Sequence, residues 1–302
     1  MRLLDIFVNN LLPVLLLTGA GFILGKLTHI SSRPLGRIVF YIFSPALVFD
    51  LITRSQLSSE GIGLMAGFSA SVMLVCAGAA YLLAKLLHLE KPAIIAVVLT
   101  SMIGNNGNYG LPIIAFSFGE DVLVYASIYF VTSITFVNTL GVFIASLGHL
   151  SPKDALLRLV KIPAIYAILL AILVIKTGIV FPSPLQKAVS LASNAAVPSM
   201  LVLLGMELQQ VAWTRNLKAL GIPVFLRLVA GPFMALGFAA LYGLPPMARQ
   251  AGVTQAGMPS AVMTTILASE FNLDSSLITS MVFITTVLSP ITITILLFFL
   301  GK

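Results

Sequence analysis

A chain of 302 residues that is 59% hydrophobic and only 9% charged, with a mean hydropathy of +1.07, is too apolar for a soluble domain, where about a quarter of residues carry charge. The 17 Lys and Arg against 10 Asp and Glu fall singly in short loops, which argues for membrane topology and against a nucleic-acid surface. One cysteine, Cys76, inside an apolar run, excludes a disulfide framework, and the dispersed His29, His88 and His149 leave no metal or cofactor expected.

Ten apolar runs of helical length follow in order, at about 5–25, 34–53, 61–84, 92–118, 121–147, 159–180, 184–206, 217–242, 246–271 and 274–300. The first is long and lacks a small-x-small cleavage site, so it reads as a retained helix rather than a signal peptide. The longest connections, such as 148–158 at mid-chain, leave no room for a soluble domain. Loops after spans one, three, five and seven carry ten basic residues: Lys26, Arg33, Arg37, Lys85, Lys91, Lys153, Arg158, Lys161, Arg215 and Lys218. The other face carries six: Arg2, Arg54, Lys176, Lys187, Arg249 and Lys302. The richer face belongs in the cytoplasm, which places both termini outside, in a plasma (inner) membrane protein.

Span four holds the most informative stretch, Ser101-Met102-Ile103-Gly104-Asn105-Asn106-Gly107-Asn108-Tyr109-Gly110-Leu111-Pro112. Its flanks, 92–103 and 111–118, are each too short to cross a bilayer, which takes roughly 20 helical residues, so the polar core falls near mid-membrane. Gly104, Gly107, Gly110 and Pro112 interrupt helical bonding, and unpaired backbone groups survive at that depth only against protein or a wet cavity. Asn105, Asn106 and Asn108 add amide donors and acceptors beside Tyr109. The stretch describes a solute site; an aqueous loop between two re-entrant helices is the bland alternative.

A shift of 153 residues superposes Pro45 on Pro198, Pro92 on Pro245, Gly104 on Gly257, Phe118 on Phe271 and Asp121 on Asp274. Five spans per half is an odd number, so the second copy enters from the opposite face, giving an inverted 5+5 repeat with halves 1–150 and 151–302. The counterpart break in span nine is Thr254-Gln255-Ala256-Gly257-Met258-Pro259-Ser260. Half-helix N-termini at such breaks carry free N–H groups and partial positive charge, which suit a carboxylate. A proline kink packed against neighbours is the structural alternative.

Arg227 lies about ten residues into span eight, roughly 15 Å deep. It stands beside an anionic substrate or pairs with Glu207 or Asp50; the residues leave both open. Asn138, deep in span five, joins Gln255 and Ser260 as candidate cavity lining, with Thr285, Thr286 and Ser289 on span ten. Pro45 and Pro198 read as scaffold kinks. No Ser–His–Asp set, HExxH motif or phosphate loop is present, so no catalytic residues are named and an enzyme is not expected.

These residues resemble the auxin efflux carrier family, which includes the plant PIN carriers and bacterial relatives linked to malate or malonate transport. The most specific matches are Asn105-Asn106-Gly107-Asn108-Tyr109-Gly110-Leu111-Pro112, Arg227-Leu228-Val229-Ala230-Gly231-Pro232, Gln255-Ala256-Gly257-Met258-Pro259, Ser269-Glu270-Phe271-Asn272 and Phe43-Ser44-Pro45-Ala46-Leu47-Val48-Phe49. The resemblance implies ten helices with the fourth and ninth broken and crossing. It also implies a dimerising scaffold from spans 1, 2, 6 and 7 (about 1–55 and 159–210) and a moving transport unit from spans 3–5 and 8–10 (about 61–147 and 217–300). The family's carboxylate-contacting asparagine falls on Asn105, and its span-nine crossover proline on Pro259. The proline that PIN carriers place before that asparagine is Gly104 here, the long cytosolic loop of large plant members is missing, and no indole-selecting pocket can be matched.

The expectation is a secondary transporter of a small organic anion, a carboxylate or dicarboxylate, working by elevator-type alternating access in the lipid membrane, as a homodimer. The alternatives are a proton- or sodium-coupled antiporter or symporter of the same architecture and, in a different class, a membrane-embedded enzyme.

Overall fold

The computed structural model describes residues 3–55, 57–146, 157, 159–179, 181–209 and 216–301. The boundary between halves at 150, nearly all of the 148–158 link, and Arg2, His149, Lys153, Arg158, Arg215 and Lys302 lie outside the described residues.

Among the described residues, twelve helices overlap the ten apolar runs expected from sequence. Seven are long and apolar enough to cross a membrane on their own: α1 (Leu3–Thr28), α2 (Arg33–Arg54), α3 (Ser59–Leu86), α6 (Glu120–Ala145), α8 (Ser183–Glu207), α9 (Lys218–Leu241) and α12 (Ser275–Leu300). The shorter ones are α4 (Lys91–Met102), α5 (Leu111–Phe118), α7 (Pro163–Thr177), α10 (Pro246–Ala256) and α11 (Met263–Glu270). Spans four and nine are therefore interrupted, and span six is helical over 15 residues, short of a full crossing. Among the described residues there is no strand. Large apolar side chains such as Leu27, Leu169, Leu191, Phe233 and Ile291 face outward, an arrangement only a lipid solvent tolerates on this scale. The chain is an all-helical, multi-pass membrane protein.

Among the described residues, five turns are π turns: Phe7–Leu11, Val39–Phe43, Val137–Gly141 and Leu226–Ala230 lie within long helices, and Asn106–Gly110 leads into α5. Four of them run straight into a first turn carrying proline (Pro13, Pro45, Pro112 and Pro232). A proline ring clashes with the carbonyl four residues back and offers no N–H, and widening one turn relieves both problems. Pro45 thus follows a π turn, whereas Pro198 sits inside α8.

Two groups of helices pack internally. In the first, α8 lies along α1 and α2, and α7 along α2. Gly21 meets the Val202 backbone and Gly205 meets the backbone at Thr18 and Phe22, so a side chain at either glycine would drive α1 and α8 apart. In the second, α3 packs on α4 and α6, α10 on α6 and α9, and α12 on α9 and α4. The π turn Asn106–Gly110 and α5 carry the contact from the second group onto α8.

Candidate functional site: two helix breaks that meet

Local sequence explains where α4 and α10 stop. After Met102, Ile103 turns extended and the run Gly104-Asn105-Asn106-Gly107 offers no strong helix former. After Ala256, Gly257 is followed by Met258, which the ring of Pro259 biases away from helical dihedrals. The freed backbones find each other. Gly104 and Ser260 form an antiparallel bridge, in which the Asn105 N–H donates to the Pro259 carbonyl (2.7 Å) and the Ala261 N–H to the Ile103 carbonyl (3.0 Å).

Side chains tighten this junction. The Asn106 amide donates to both the backbone carbonyl (2.8 Å) and Oε1 (2.9 Å) of Gln255. Gln255 Nε2 donates in return to the carbonyls of Asn106 (3.0 Å) and Ala126 (3.3 Å). Ser260 Oγ donates to the Thr100 carbonyl (2.8 Å), and the Ser260 N–H to Thr285 Oγ1 (3.1 Å). Gly110 makes room for Gln255 and Met258, Gly107 for Phe130, and Gly257 for Pro232 and Leu296. Pro112 and Pro259 are buried with them.

Arg227 lies in the π turn Leu226–Ala230 and is 1% exposed. Its Nε donates to the Met258 carbonyl (2.9 Å), with Nη1 and Nη2 at longer range from the carbonyls of Ser101 (3.5 Å) and Gln255 (3.4 Å). Gly104 leaves the space that the guanidinium fills. The expected ion-pair alternatives are corrected here. Asp50 is taken by Arg54 (2.9 Å), Glu207 accepts from Asn108 Nδ2 (3.4 Å), and no carboxylate among the described residues pairs with Arg227. Its partners are main-chain carbonyls, which no side-chain pattern reveals.

The remaining expected residues divide. Tyr109 is buried with its hydroxyl accepting from Ser289 Oγ (3.2 Å). Asn138 is half-buried and donates to its own helix at the Ile134 carbonyl (2.9 Å), with no hydrogen bond to either break. Asn105 differs from all of these. It is 6% exposed, yet its amide nitrogen has no partner among the described residues. It occupies the cap position before Asn106–Gly110 without making a capping bond. The first helical bond there runs from the Gly110 N–H to the Asn105 carbonyl (2.9 Å), so the N–H groups of Gly107, Asn108 and Tyr109 are the orphan donors of this half-helix. Sequence reading missed the further unpartnered polar atoms: Ser101 Oγ and Thr254 Oγ1 near the ends of α4 and α10, and, away from the junction, Thr18 Oγ1, Ser117 Oγ and Tyr129 Oη. It also missed the reach of Asn108 to Glu207 on α8. No group of three or more His, Cys, Asp or Glu among the described residues stands as a metal cage.

A multi-pass apolar chain whose interior holds a protein-enclosed meeting of two helix breaks has the construction of a membrane transporter. Comparison with known proteins gives the same class: a family model described as membrane transport protein matches residues 6–151 and 147–297. The chain belongs to that family, that of the auxin efflux carriers and PIN-like transporters, whose members are transporters and not enzymes. It is 28% identical to an uncharacterized transporter of Methanocaldococcus jannaschii over 93% of this chain and 95% of that one. It is 27% identical to an uncharacterized transporter of Methanothermobacter thermautotrophicus, over 94% and 95% respectively. Over 63 residues, 18% of this chain and 13% of the relative, it is 43% identical to Protein PIN-LIKES 1 of Arabidopsis thaliana.

Proposed function

We propose that this protein is a secondary carrier of a small organic anion, a carboxylate or dicarboxylate, held where the two helix breaks meet. The observation that carries the reading is Asn105, a buried amide donor without an acceptor at the uncapped start of a half-helix. A buried donor left unpaired costs about 1–3 kcal/mol, and a carboxylate oxygen arriving there would remove that cost. The same oxygen would meet the orphan N–H groups of Gly107, Asn108 and Tyr109 and the positive end of the half-helix.

In this reading Asn105 holds the anion. Asn106, Gln255 and Ser260 form the wall, and Arg227 joins them in keeping the breaks together. Asn108, Tyr109 and Asn138 complete the lining. The spans form a 5+5 inverted repeat, 1–150 and 151–302, with broken spans four and nine crossing. In support, shifting α4 and α5 by 153 residues gives 244–255 and 264–271, against Pro246–Ala256 and Met263–Glu270. The two packing groups fit a scaffold of about 1–55 and 159–210 that dimerises in the inner membrane, and a transport unit of about 61–147 and 217–300. That unit would slide as an elevator, with both chain termini outside. In proteoliposomes, Asn105→Ala abolishes counterflow of labelled carboxylates while the protein stays folded; undiminished flux removes Asn105 from the site.

One observation favours the ion-coupled variant of this carrier. Neither break contains a carboxylate of its own, but Asn108 brings the first break to Glu207 on α8. If Glu207 carries the coupling proton, Glu207→Gln makes flux insensitive to an imposed pH gradient; unaltered sensitivity excludes it.

A further inference from the structure

We infer that Arg227 sets the charge of the anion site from behind, as a positioning residue that neutralises the carbonyl ends of both broken helices and never touches the substrate. The inference rests on the proposed anion site and deepens it.

The two breaks together offer four helix ends to one small volume. Two are carbonyl ends, those of α4 at Met102 and α10 at Ala256; two are N–H ends, those of Asn106–Phe118 and α11. A helix end carries about half a unit of charge, negative at the carbonyl end and positive at the N–H end. Four such ends sum to about zero, so paired breaks alone give no preference for an anion. Arg227 changes the sum. Its guanidinium contacts the carbonyls of Ser101 at the end of α4, of Gln255 at the end of α10, and of Met258 inside the second break. One full positive charge offsets about one unit at the two carbonyl ends, and the two N–H ends are left with about one unit of unmatched positive charge. A carboxylate supplies the match.

Burial makes this effective. Arg227 is 1% exposed and no carboxylate among the described residues pairs with it, so its charge is neither screened by water nor spent on an ion pair. Contact with substrate is not needed, because the fork is already turned onto backbone. Gly104 is part of the same device, since a side chain there would displace the guanidinium from its seat. The unpartnered Asn105 amide is the independent sign that the N–H side of the junction awaits a ligand.

The test measures binding to purified, detergent-solubilised protein by calorimetry, with lactate and malate as probes, which differ chiefly by a second carboxylate. Arg227→Gln keeps donors and removes the charge; Arg227→Lys keeps the charge. The expected result is a loss for Arg227→Gln of about tenfold for lactate and up to about a hundredfold for malate, because an electrostatic effect scales with ligand charge. Arg227→Lys stays within a few-fold of wild type for both. Equal losses for the two ligands in both variants mean a purely structural role and overturn the inference, leaving the anion site standing. Should Arg227→Gln not purify as a monodisperse protein, Arg227→Lys decides alone: retained affinity for both ligands supports the inference, and a common loss overturns it. A wild-type protein that binds neither carboxylate overturns the function reading and the inference together.

Discussion

The seam between α1 and α8 and the junction between the two helix breaks are both close backbone contacts, built on opposite terms. Along the seam, Gly21 and Gly205 bring two continuous helices together, each satisfying its own backbone internally. At the junction the helices stop, and backbone groups pair across the gap through Asn105, Pro259, Ile103 and Ala261. Small residues suffice for the first contact, since helix association in lipid depends on how near the backbones come. The second needs Arg227, Asn106 and Gln255 to hold it, and still leaves the Asn105 amide and the Ser101 and Thr254 hydroxyls unpaired. The seam also holds one such atom, Thr18 Oγ1, but its helices run on past it; only the junction adds free helix ends to its unpaired side chains, and under the proposed function that is where the anion enters.

Substitutions can break this contrast in order of size. The largest effect on stability belongs to the seam. Gly205→Leu would force a branched side chain into the Thr18 and Phe22 backbone, and should lower the unfolding free energy by about 3 kcal/mol or more, read as a lost thermal transition in detergent. Next comes the tie across the junction. Gln255→Ala removes the acceptor Oε1 and the donor Nε2 together, leaving the Asn106 amide only the Gln255 main-chain carbonyl and taking a donor from the Asn106 and Ala126 carbonyls, which should cost about 2–3 kcal/mol by the same measurement. Asn138→Ala loses one bond to its own helix and should cost no more than about 1 kcal/mol, with flux retained if the side chain only closes that turn. Asn105→Ala sharpens the contrast most, for it should leave stability unchanged or slightly raised while removing function. A loss of stability as large as that of Gln255→Ala would make Asn105 another tie.

Much of this was legible before any coordinates. The expected span 61–84 falls inside α3 (Ser59–Leu86) and 274–300 matches α12 (Ser275–Leu300) to within one residue, because lipid thickness and apolar length constrain each other. The breaks were legible from Gly104, Gly107 and Pro112 and from Gly257 and Pro259, residues whose backbone chemistry is local. What escaped was non-local or main-chain. Arg227 reads in sequence as a buried charge beside an anionic substrate or paired with Glu207 or Asp50, and its partners in the fold are carbonyls that every residue owns. Asn106 and Gln255 read as substrate ligands, and their amides are engaged with each other. The Asn108–Glu207 contact joins residues 99 apart, one mid-break and one at a helix end, with no pattern to link them. The π turns were announced only by the prolines that follow four of them.

The central claim is that the unpaired Asn105 amide and the orphan N–H groups beside it hold a carboxylate. It is tested most directly by carboxylate-dependent thermal stabilisation of purified wild-type and Asn105→Ala protein, measured side by side. The account predicts a wild-type transition that rises with malate or lactate and an Asn105→Ala protein that melts at the same baseline temperature with no response. Equal stabilisation of both proteins would contradict it.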